Sequence, residues 1–319
     1  MEQDPEKLIK KAEKKIKPGF FKAVFSDTNE RLEKALNLYK EAADIYIFKK
    51  EYKKAANCYI EVISLQEGLK MDEEILESYD LLINCYEKIN DFENIKKIQD
   101  KLINIYIKNN EYSKAAELIY KKAKNLESDK NKVQECLNMY QKAYDYYEMD
   151  SGKNKIAKNK VKCARADLIT LYNIKEDLSE AKYIYDEIGN DYLKDNSNEI
   201  NKIYAKDYFA KNVVTYLAYD DYTSGKAFLN KYFDIDRDFK TSSLGKYLMK
   251  FIELFEKSVD NNDNNDDSLN FDNISYEFLK IVKNNKIIDK NWLSEMLKKI
   301  KIKYNEIEKE NDLDDDDLR

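Results

Sequence analysis

Proline and glycine, the residues that most often interrupt helices and shape turns, are nearly absent from this chain. Only two prolines and six glycines occur in 319 residues. The long stretches between them are rich in Lys, Glu, Leu, Ala, Ile and Tyr, most of which favour helices. A chain with so little turn chemistry is restricted to helices joined by short polar breaks, and we predict an all-α fold.

A short motif of two alanines near an aromatic residue recurs along these helices. Tyr52-Lys-Lys-Ala-Ala56 and Tyr112-Ser-Lys-Ala-Ala116 are near copies, and looser versions occur at Tyr140–Tyr147 and Leu178–Tyr185. Short polar breaks fall at residues 70–72, 89–91, 108–110 and 173–177. Small residues let two helix backbones approach, and the aromatic ring fills the space beside them. The pattern predicts antiparallel helical hairpins stacked in the tetratricopeptide manner.

Changes in composition along the chain predict four segments. Residues 1–26 form an N-terminal helix and a phenylalanine-rich loop, and residues 27–235 form a tetratricopeptide-like twisted sheet of antiparallel helical hairpins. Residues 236–310 form a C-terminal helical bundle with an Asn/Asp-rich low-complexity loop at 260–268, and residues 311–319 form an acidic tail. Within the bundle we predict helices at Ile274–Lys283 and Asn291–Ile307, the second starting near Trp292, the only tryptophan.

The phenylalanine-rich segment follows the first predicted helix. Pro18 and Gly19 end that helix, so Phe20, Phe21 and Phe25 are expected on a loop. Large apolar side chains on a loop either fold back onto their own domain or insert shallowly into a membrane. Composition alone leaves both interpretations open.

Charge is unevenly distributed, although the formal net charge is only −6. Residues 312–319 are strongly acidic, whereas the segment Lys153–Arg165 is strongly basic. An acidic end and a basic middle suggest two different partners. The alternative for both segments is an ordinary solvated surface.

The usual signatures of catalytic and metal-binding sites are missing, and the abundant carboxylates are expected on solvated helix faces. The chain has no histidine, which removes the commonest general base and metal ligand. Cys58, Cys85, Cys136 and Cys163 are widely spaced within helical patterns, which predicts buried, reduced thiols rather than a zinc site. No glycine-rich phosphate loop occurs. We therefore predict no catalytic residue, no metal site and no cofactor, and a binding protein rather than an enzyme.

The sequence also bears on location. No apolar run approaches the roughly 20 residues that a spanning helix needs, and the N-terminus lacks the apolar segment of a signal peptide. We expect a cytoplasmic protein.

Several motifs together resemble the soluble NSF attachment proteins of the alpha type. In chain order they are Lys11–Lys15, Phe20–Phe25, Ala205–Phe209, Trp292-Leu293 before a basic helix, and the terminus Asp316–Arg319. The resemblance runs nearly end to end and rests on the order and spacing of these motifs. It implies an adaptor, peripherally associated with membranes, that binds the four-helix bundle of assembled syntaxin-like and related SNAREs. It further implies that the adaptor recruits and stimulates the hexameric ATPase NSF, which disassembles SNARE complexes in vesicle trafficking and membrane fusion.

The resemblance also implies roles for individual residues. Lysines that match positions facing the acidic SNARE bundle are Lys158, Lys162 and Lys206. Acids at Glu111 and Glu117 replace a basic pair of the family, and Lys114, Lys121 and Lys122 are the expected substitutes for that charge, shifted by one turn. Residues that match NSF contacts are Asp314, Asp315, Asp316, Asp317, Leu318, Asp220, Glu253 and Glu256. An adaptor on a membrane-anchored bundle ends close to lipid, which favours membrane contact by Phe20, Phe21 and Phe25.

Two other functions compete with this one. A tetratricopeptide-type scaffold could bind other peptide or helical ligands with no connection to SNAREs, and an enzyme is a remote third. Binding to NSF and to an assembled SNARE bundle separates the first two. No nucleic-acid partner is expected.

Overall fold

The computed structural model describes residues 4–17, 27–150, 154–194, 199–219, 222–259, 270–285 and 287–316, with side chains except at residues 199 and 308–316. Over these residues the fold is all-α, as predicted, with fifteen α-helices, three 3-10 turns and no strand. The helices are α1 Pro5–Ile16, α2 Thr28–Phe48, α3 Tyr52–Leu69, α4 Glu74–Lys88, α5 Phe92–Lys108, α6 Tyr112–Leu126, α7 Val133–Met149, α8 Lys155–Tyr172, α9 Leu178–Lys194, α10 Glu199–Tyr219, α11 Tyr222–Ile235, α12 Arg237–Thr241, α13 Ser243–Val259, α14 Phe271–Ile281 and α15 Lys290–Asp316.

The first two helices begin at carboxylates that cap them. The side chain of Asp4 accepts a hydrogen bond from the backbone N–H of Glu6 at 3.1 Å, and Asp27 accepts one from Asn29 at 2.9 Å. Pro5 occupies the first helical position of α1, where its missing N–H has no intrahelical partner to lose. Each cap contributes on the order of 1 kcal/mol to the stability of its helix.

Five helices end on a residue with left-handed backbone conformation, although none of these residues is glycine. They are Lys50, Lys70, Asn90, Asn110 and Asn173, with φ between 54° and 60°. After the left-handed residue the chain folds back, so that the N–H of Glu51 donates to the carbonyl of Tyr46, and that of Glu111 to Tyr106, both at 2.8 Å. This Schellman arrangement satisfies the last carbonyls of the helix and reverses the chain within a few residues.

Contacts divide the chain into two compact units, residues 1–118 and residues 119–319. In the first unit, each helix from α1 to α4 packs on the next helix in the chain. The buried face of α2 consists of Ala35, Leu36, Tyr39, Ala42, Ala43 and Tyr46. The face of α3 that carries Ala55, Ala56 and Tyr59 at helical spacing is also buried. Packing between sequential neighbours is the predicted hairpin pattern.

In the second unit, α7 to α11 also pack in succession, while α13, α14 and α15 pack on one another. Helix α10 contacts both groups, since it packs on α9, α11, α13 and α15. A Cβ atom added at Gly189 of α9 would lie 2.5 Å from Cε1 of Phe209 on α10, so a glycine is needed for this close approach. The predicted boundary at residue 235 stays a prediction.

The two helices predicted near the C-terminus are confirmed with different lengths. Helix α14 begins at Phe271 and passes into a 3-10 turn at Val282–Asn284, and α15 begins at Lys290, beside Trp292. Helix α15 continues to Asp316, beyond the predicted end at Ile307, because no proline or glycine interrupts it. The predicted loop at residues 260–268 lies outside the described residues.

Candidate interaction surfaces

Helix α8 places Lys158 and Lys162 one turn apart, so that these two of the predicted SNARE-binding lysines lie on the same side. Nζ of Lys158 donates a hydrogen bond to Glu148 of α7, and Nζ of Lys162 donates one to Glu187 of α9, both at 2.8 Å. Only 17% of the Lys158 side chain and 23% of the Lys162 side chain are exposed. The structure therefore brings the two lysines together, but each charge is already paired within the protein.

These pairs are ionised and partly solvated. Burial lowers the pKa of Lys162, but the hydrogen bond and charge of Glu187, together with Tyr144, outweigh that effect and raise it. The hydrogen bond from Lys158 lowers the pKa of Glu148. Ion pairs that keep contact with water typically contribute about 0–1 kcal/mol. An acidic partner could therefore replace either glutamate at small cost.

Acidic residues of neighbouring helices balance most of the basic segment that begins at Lys153. Besides the two pairs above, Nζ of Lys155 lies 3.4 Å from Asp191, and Arg165 pairs with Glu180. The pairs of Lys155 and Arg165 lie at opposite ends of α8 and α9, as expected for antiparallel neighbours. The charge run is thus a feature of helix packing as well as a candidate surface.

Lys206 differs from the other two lysines of the predicted footprint. It lies on α10, is partly exposed, and forms no ion pair with any residue that the structure describes. The residues around it, Ala205, Asp207, Tyr208 and Phe209, are buried. The sequence block that supported the resemblance is therefore mostly core, and Lys206 is its accessible charge.

Lys114 belongs to the first unit and follows the turn between α5 and α6. It pairs with Glu111, and its Nζ lies 5.4 Å from the ring centroid of Tyr106. The turn before α3 repeats this arrangement with Lys54, whose Nζ lies 5.2 Å from the ring of Tyr46. Lys114, which was expected to replace a basic residue of the family, therefore already interacts with Glu111 and Tyr106 at a turn whose geometry also occurs before α3.

The positions that match NSF contacts are only partly described. Glu253 of α13 is exposed, whereas Glu256 pairs with Lys226 of α11. Backbone at residues 314–316 is helical at the end of α15. Asp220, Asp317 and Leu318 lie outside the described residues, and so do Phe20, Phe21 and Phe25. The roles of all these residues stay predictions.

An ion pair between a fully buried lysine and a partly buried aspartate in the second unit was not predicted from the sequence. Lys211 of α10 is completely buried, and its Nζ donates to both carboxylate oxygens of Asp167 on α8, at 2.6 and 2.7 Å. The hydroxyl of Tyr185 donates to the same carboxylate at 2.7 Å, and Cys163 Sγ lies 3.4 Å from the ammonium nitrogen. The sequence signal is a lysine at a core position of α10, close to Val213 and Val214.

Aromatic rings enclose this ammonium group and link it to α15. Nζ of Lys211 lies 4.9 Å from the ring centroid of Trp292 and 5.5 Å from that of Tyr185. Trp292 Nε1 donates to the hydroxyl of Thr170 on α8 at 2.9 Å. Residues Cys163, Asp167, Tyr185, Lys211 and Trp292, here called the Lys211 cluster, join four helices at one point. Burial raises the pKa of Cys163 to about 12, so its thiol is neutral.

Lys299 makes a second link between α15 and α8. Its Nζ donates to the backbone carbonyl of Leu171 at 3.0 Å and lies 3.4 Å from that of Thr170, at the end of α8. A cation at this position satisfies carbonyls that lack an intrahelical partner and opposes the negative end of the helix dipole. Helix α15 is therefore fixed to α8 by polar contacts as well as by packing.

All four cysteines are buried and free, as predicted. Within the described ranges, no group of three His, Cys, Asp or Glu side chains could hold a metal ion. None of the helices that the structure describes is both long and apolar enough to cross a membrane.

Comparison with known proteins covers nearly the whole chain. Residues 3–305 match the model of the family described as soluble NSF attachment protein, SNAP. No curated protein matches the chain. The matched range includes all helices from α1 to α14 and most of α15.

Proposed function

This chain belongs to the soluble NSF attachment protein family, and from that premise we propose that it binds assembled SNARE complexes and recruits NSF to them. Members of this family are adaptors associated with SNAREs and NSF. We further propose that the chain stimulates ATP hydrolysis by NSF, so that SNARE complexes are disassembled in vesicle trafficking and membrane fusion. The observation that carries the proposal is the family match over residues 3–305.

In this proposal the second unit binds the SNARE bundle through Lys158, Lys162 and Lys206. The first two lie on the same side of α8 and are held by glutamates that water reaches. Lysine suits a partner of variable sequence because its flexible, solvated charge tolerates imprecise registry. On binding, an acidic residue of the bundle replaces Glu148 or Glu187 as the partner of a lysine. Because these are interactions between solvated charges, the affinity for the bundle should be sensitive to salt.

NSF is proposed to bind the C-terminal acids and Leu318, with Asp220, Glu253 and Glu256 as further contacts. A short acidic segment that orders against a basic surface is a common use of a chain terminus. Glu253 is exposed, which supports its assignment more directly than that of the paired Glu256.

Phe20, Phe21 and Phe25 are proposed to insert shallowly into the membrane that carries the SNAREs, so that the protein is peripheral and cytoplasmic. Burial of two or three phenylalanines gives a few kcal/mol at roughly 25 cal/mol per Å², which makes attachment weak and reversible. In Phe20→Ser with Phe21→Ser, disassembly of membrane-anchored SNARE complexes should fall while that of soluble complexes is kept. If disassembly fell equally for membrane-anchored and soluble SNARE complexes, the phenylalanines would belong to the core rather than to a membrane contact.

The whole proposal is tested by pull-down with NSF and with an assembled SNARE bundle, followed by measurement of NSF ATPase activity. We expect binding to the assembled bundle at low salt, and ATP hydrolysis that rises only when the chain and the bundle are both present. Unassembled SNARE chains serve as the control. Failure to bind the bundle at low salt would contradict the proposal and favour a scaffold for other helical ligands.

A further inference from the structure

The first helix carries an unusual concentration of unpaired positive charge. Helix α1 and its C-cap contain six lysines and two glutamates, and all six lysines are exposed. They are Lys7, Lys10, Lys11, Lys14, Lys15 and Lys17. None of them forms an ion pair with a residue that the structure describes. Lys158 and Lys162, by contrast, are largely covered and paired.

Charge is segregated around the axis of α1. Its buried residues, Pro5, Leu8 and Ala12, pack toward α2. Lys7, Lys10 and Lys14 recur at spacings of three and four residues on the side opposite Leu8 and Ala12, and they are here called the lysine stripe.

The two glutamates of α1, Glu6 and Glu13, lie on one flank of the helix and are also exposed. Each is three or four residues from Lys10, so they reduce the positive charge beside the lysine stripe without cancelling it. Since six lysines stand against two glutamates, the outward side of α1 keeps a net positive charge.

The form of this surface indicates the kind of partner that it fits. Like charges one turn apart, such as Lys7 with Lys11 and Lys10 with Lys14, destabilise a helix by a few tenths of a kcal/mol each. The fold retains them on an outer helix that packs mainly on α2. A row of flexible ammonium groups without a pocket or aromatic anchor suits many mobile anions better than one shaped ligand.

We propose that the lysine stripe binds the anionic headgroups of a phospholipid surface. The inference rests on the proposed function, in which the protein acts at a membrane. The chain continues from Lys17 directly to the phenylalanine-rich segment, so the charged face and the apolar segment are adjacent in sequence. Stable peripheral attachment commonly needs two such signals, one apolar and one polybasic.

The test compares two variants with the same loss of charge on vesicles. Lys7→Gln, Lys10→Gln and Lys14→Gln together remove the stripe, and Lys96→Gln, Lys101→Gln and Lys108→Gln remove three exposed lysines of α5 as the matched control. Flotation with phosphatidylcholine vesicles, with and without phosphatidylserine, measures binding. Since each lysine near an anionic surface contributes about fivefold, the stripe variant should lose roughly 100-fold of the phosphatidylserine-dependent affinity. Unchanged affinity, or equal loss in the control, would overturn the inference.

A second measurement separates this inference from the proposed function. With soluble SNARE complexes and no lipid, the stripe variant should bind the bundle and stimulate NSF like the unmodified chain. A matching loss there would show that the stripe binds acidic protein rather than lipid. If the unmodified chain never stimulates NSF but binds anionic vesicles through the stripe, the adaptor proposal fails and this inference stands.

Discussion

Lys158 and Lys162 are each 2.8 Å from a glutamate of a neighbouring helix, so an acidic partner of these lysines competes with that glutamate. The net gain on binding is the difference between two solvated ion pairs, each worth about 0–1 kcal/mol. In the proposed function, the affinity for the bundle therefore depends on Glu148 and Glu187 as well as on the two lysines.

This exchange predicts opposite effects from the two halves of each pair. Lys158→Glu with Lys162→Glu should weaken binding to the SNARE bundle at least tenfold at low salt, because like charges then face the acidic partner. Glu148→Gln with Glu187→Gln should strengthen binding severalfold, because the lysines no longer need to leave a charged partner. Titration of the bundle by fluorescence anisotropy at two salt concentrations measures both. If reversal leaves the affinity unchanged, the footprint lies on other lysines.

The Lys211 cluster predicts a large effect on stability. In Lys211→Met the carboxylate of Asp167 loses its partner but stays 25% exposed, so the free energy of unfolding should fall by about 3 kcal/mol, the low end for a broken buried pair. Lys211→Met with Asp167→Leu removes both charges and should recover much of that loss. Urea unfolding monitored by circular dichroism measures the difference. Equal stability of the single variant and the unmodified chain would show that the pair is solvated.

Asp207 predicts a dependence of stability on pH. Burial raises its pKa from 3.8 to about 6, against the hydrogen bond from Asn285 and the charge of Lys211. The folded state therefore binds the proton more tightly, so this contribution to stability is complete below about pH 4 and is lost as the pH rises through about 6.

Asp207→Asn keeps an oxygen that can accept the 2.7 Å hydrogen bond from Asn285 but cannot ionise. At pH 7.5 the variant should be more stable than the unmodified chain by about 2–3 kcal/mol, and the difference should vanish near pH 4. Urea midpoints measured across this range check the prediction. A constant difference at every pH would rule out titration of Asp207 as the cause.

At the scale of the helix, the left-handed residues show how this chain makes turns without glycine. Asparagine tolerates the left-handed region better than lysine does, so Lys50 and Lys70 are the more strained of the five positions.

Lys50→Gly should therefore raise the free energy of unfolding by about 1 kcal/mol. Lys96→Gly, at an exposed interior position of α5, should lower it by about 1 kcal/mol and serves as the control. Thermal unfolding of both variants measures the two signs. Destabilisation by Lys50→Gly would mean that the lysine side chain contributes more than the strain of its backbone costs.

The elements themselves were predictable because their signals are local. Asp4 and Asp27 cap helices where the sequence places them, and the buried face of α2 follows from spacing alone. The ion pairs of Lys158 and Lys162 were not predictable, since their acids come from other helices. Lys211 was missed because periodicity assigns a lysine to the surface, whereas three neighbouring helices supply its carboxylate and rings.

At the scale of the whole molecule, the proposed function separates recruitment of NSF from stimulation of its activity. In the proposed function, the charged tail supplies electrostatic attraction, whereas Leu318 supplies the contact that stimulates ATP hydrolysis. Leu318→Ala should therefore leave the complex of chain, SNARE bundle and NSF intact in a pull-down but slow disassembly severalfold. Leu313→Ala, a matched change nearby, should keep the rate of the unmodified chain. Disassembly at full speed by Leu318→Ala would remove this leucine from the mechanism.

The links from α15 to α8 also constrain when the protein can fold during its synthesis. In the first unit α1 to α5 pack in succession, so these helices can pack while the rest of the chain is being translated. In the second unit, the carbonyl of Leu171 and the hydroxyl of Thr170 can accept their hydrogen bonds only after Lys299 and Trp292 have been synthesised. At about 5–20 residues per second, α8 remains incomplete for on the order of ten seconds after it leaves the ribosome. Until then the Lys211 cluster lacks the ring of Trp292. The nascent second unit is therefore the part most exposed to chaperones and proteases.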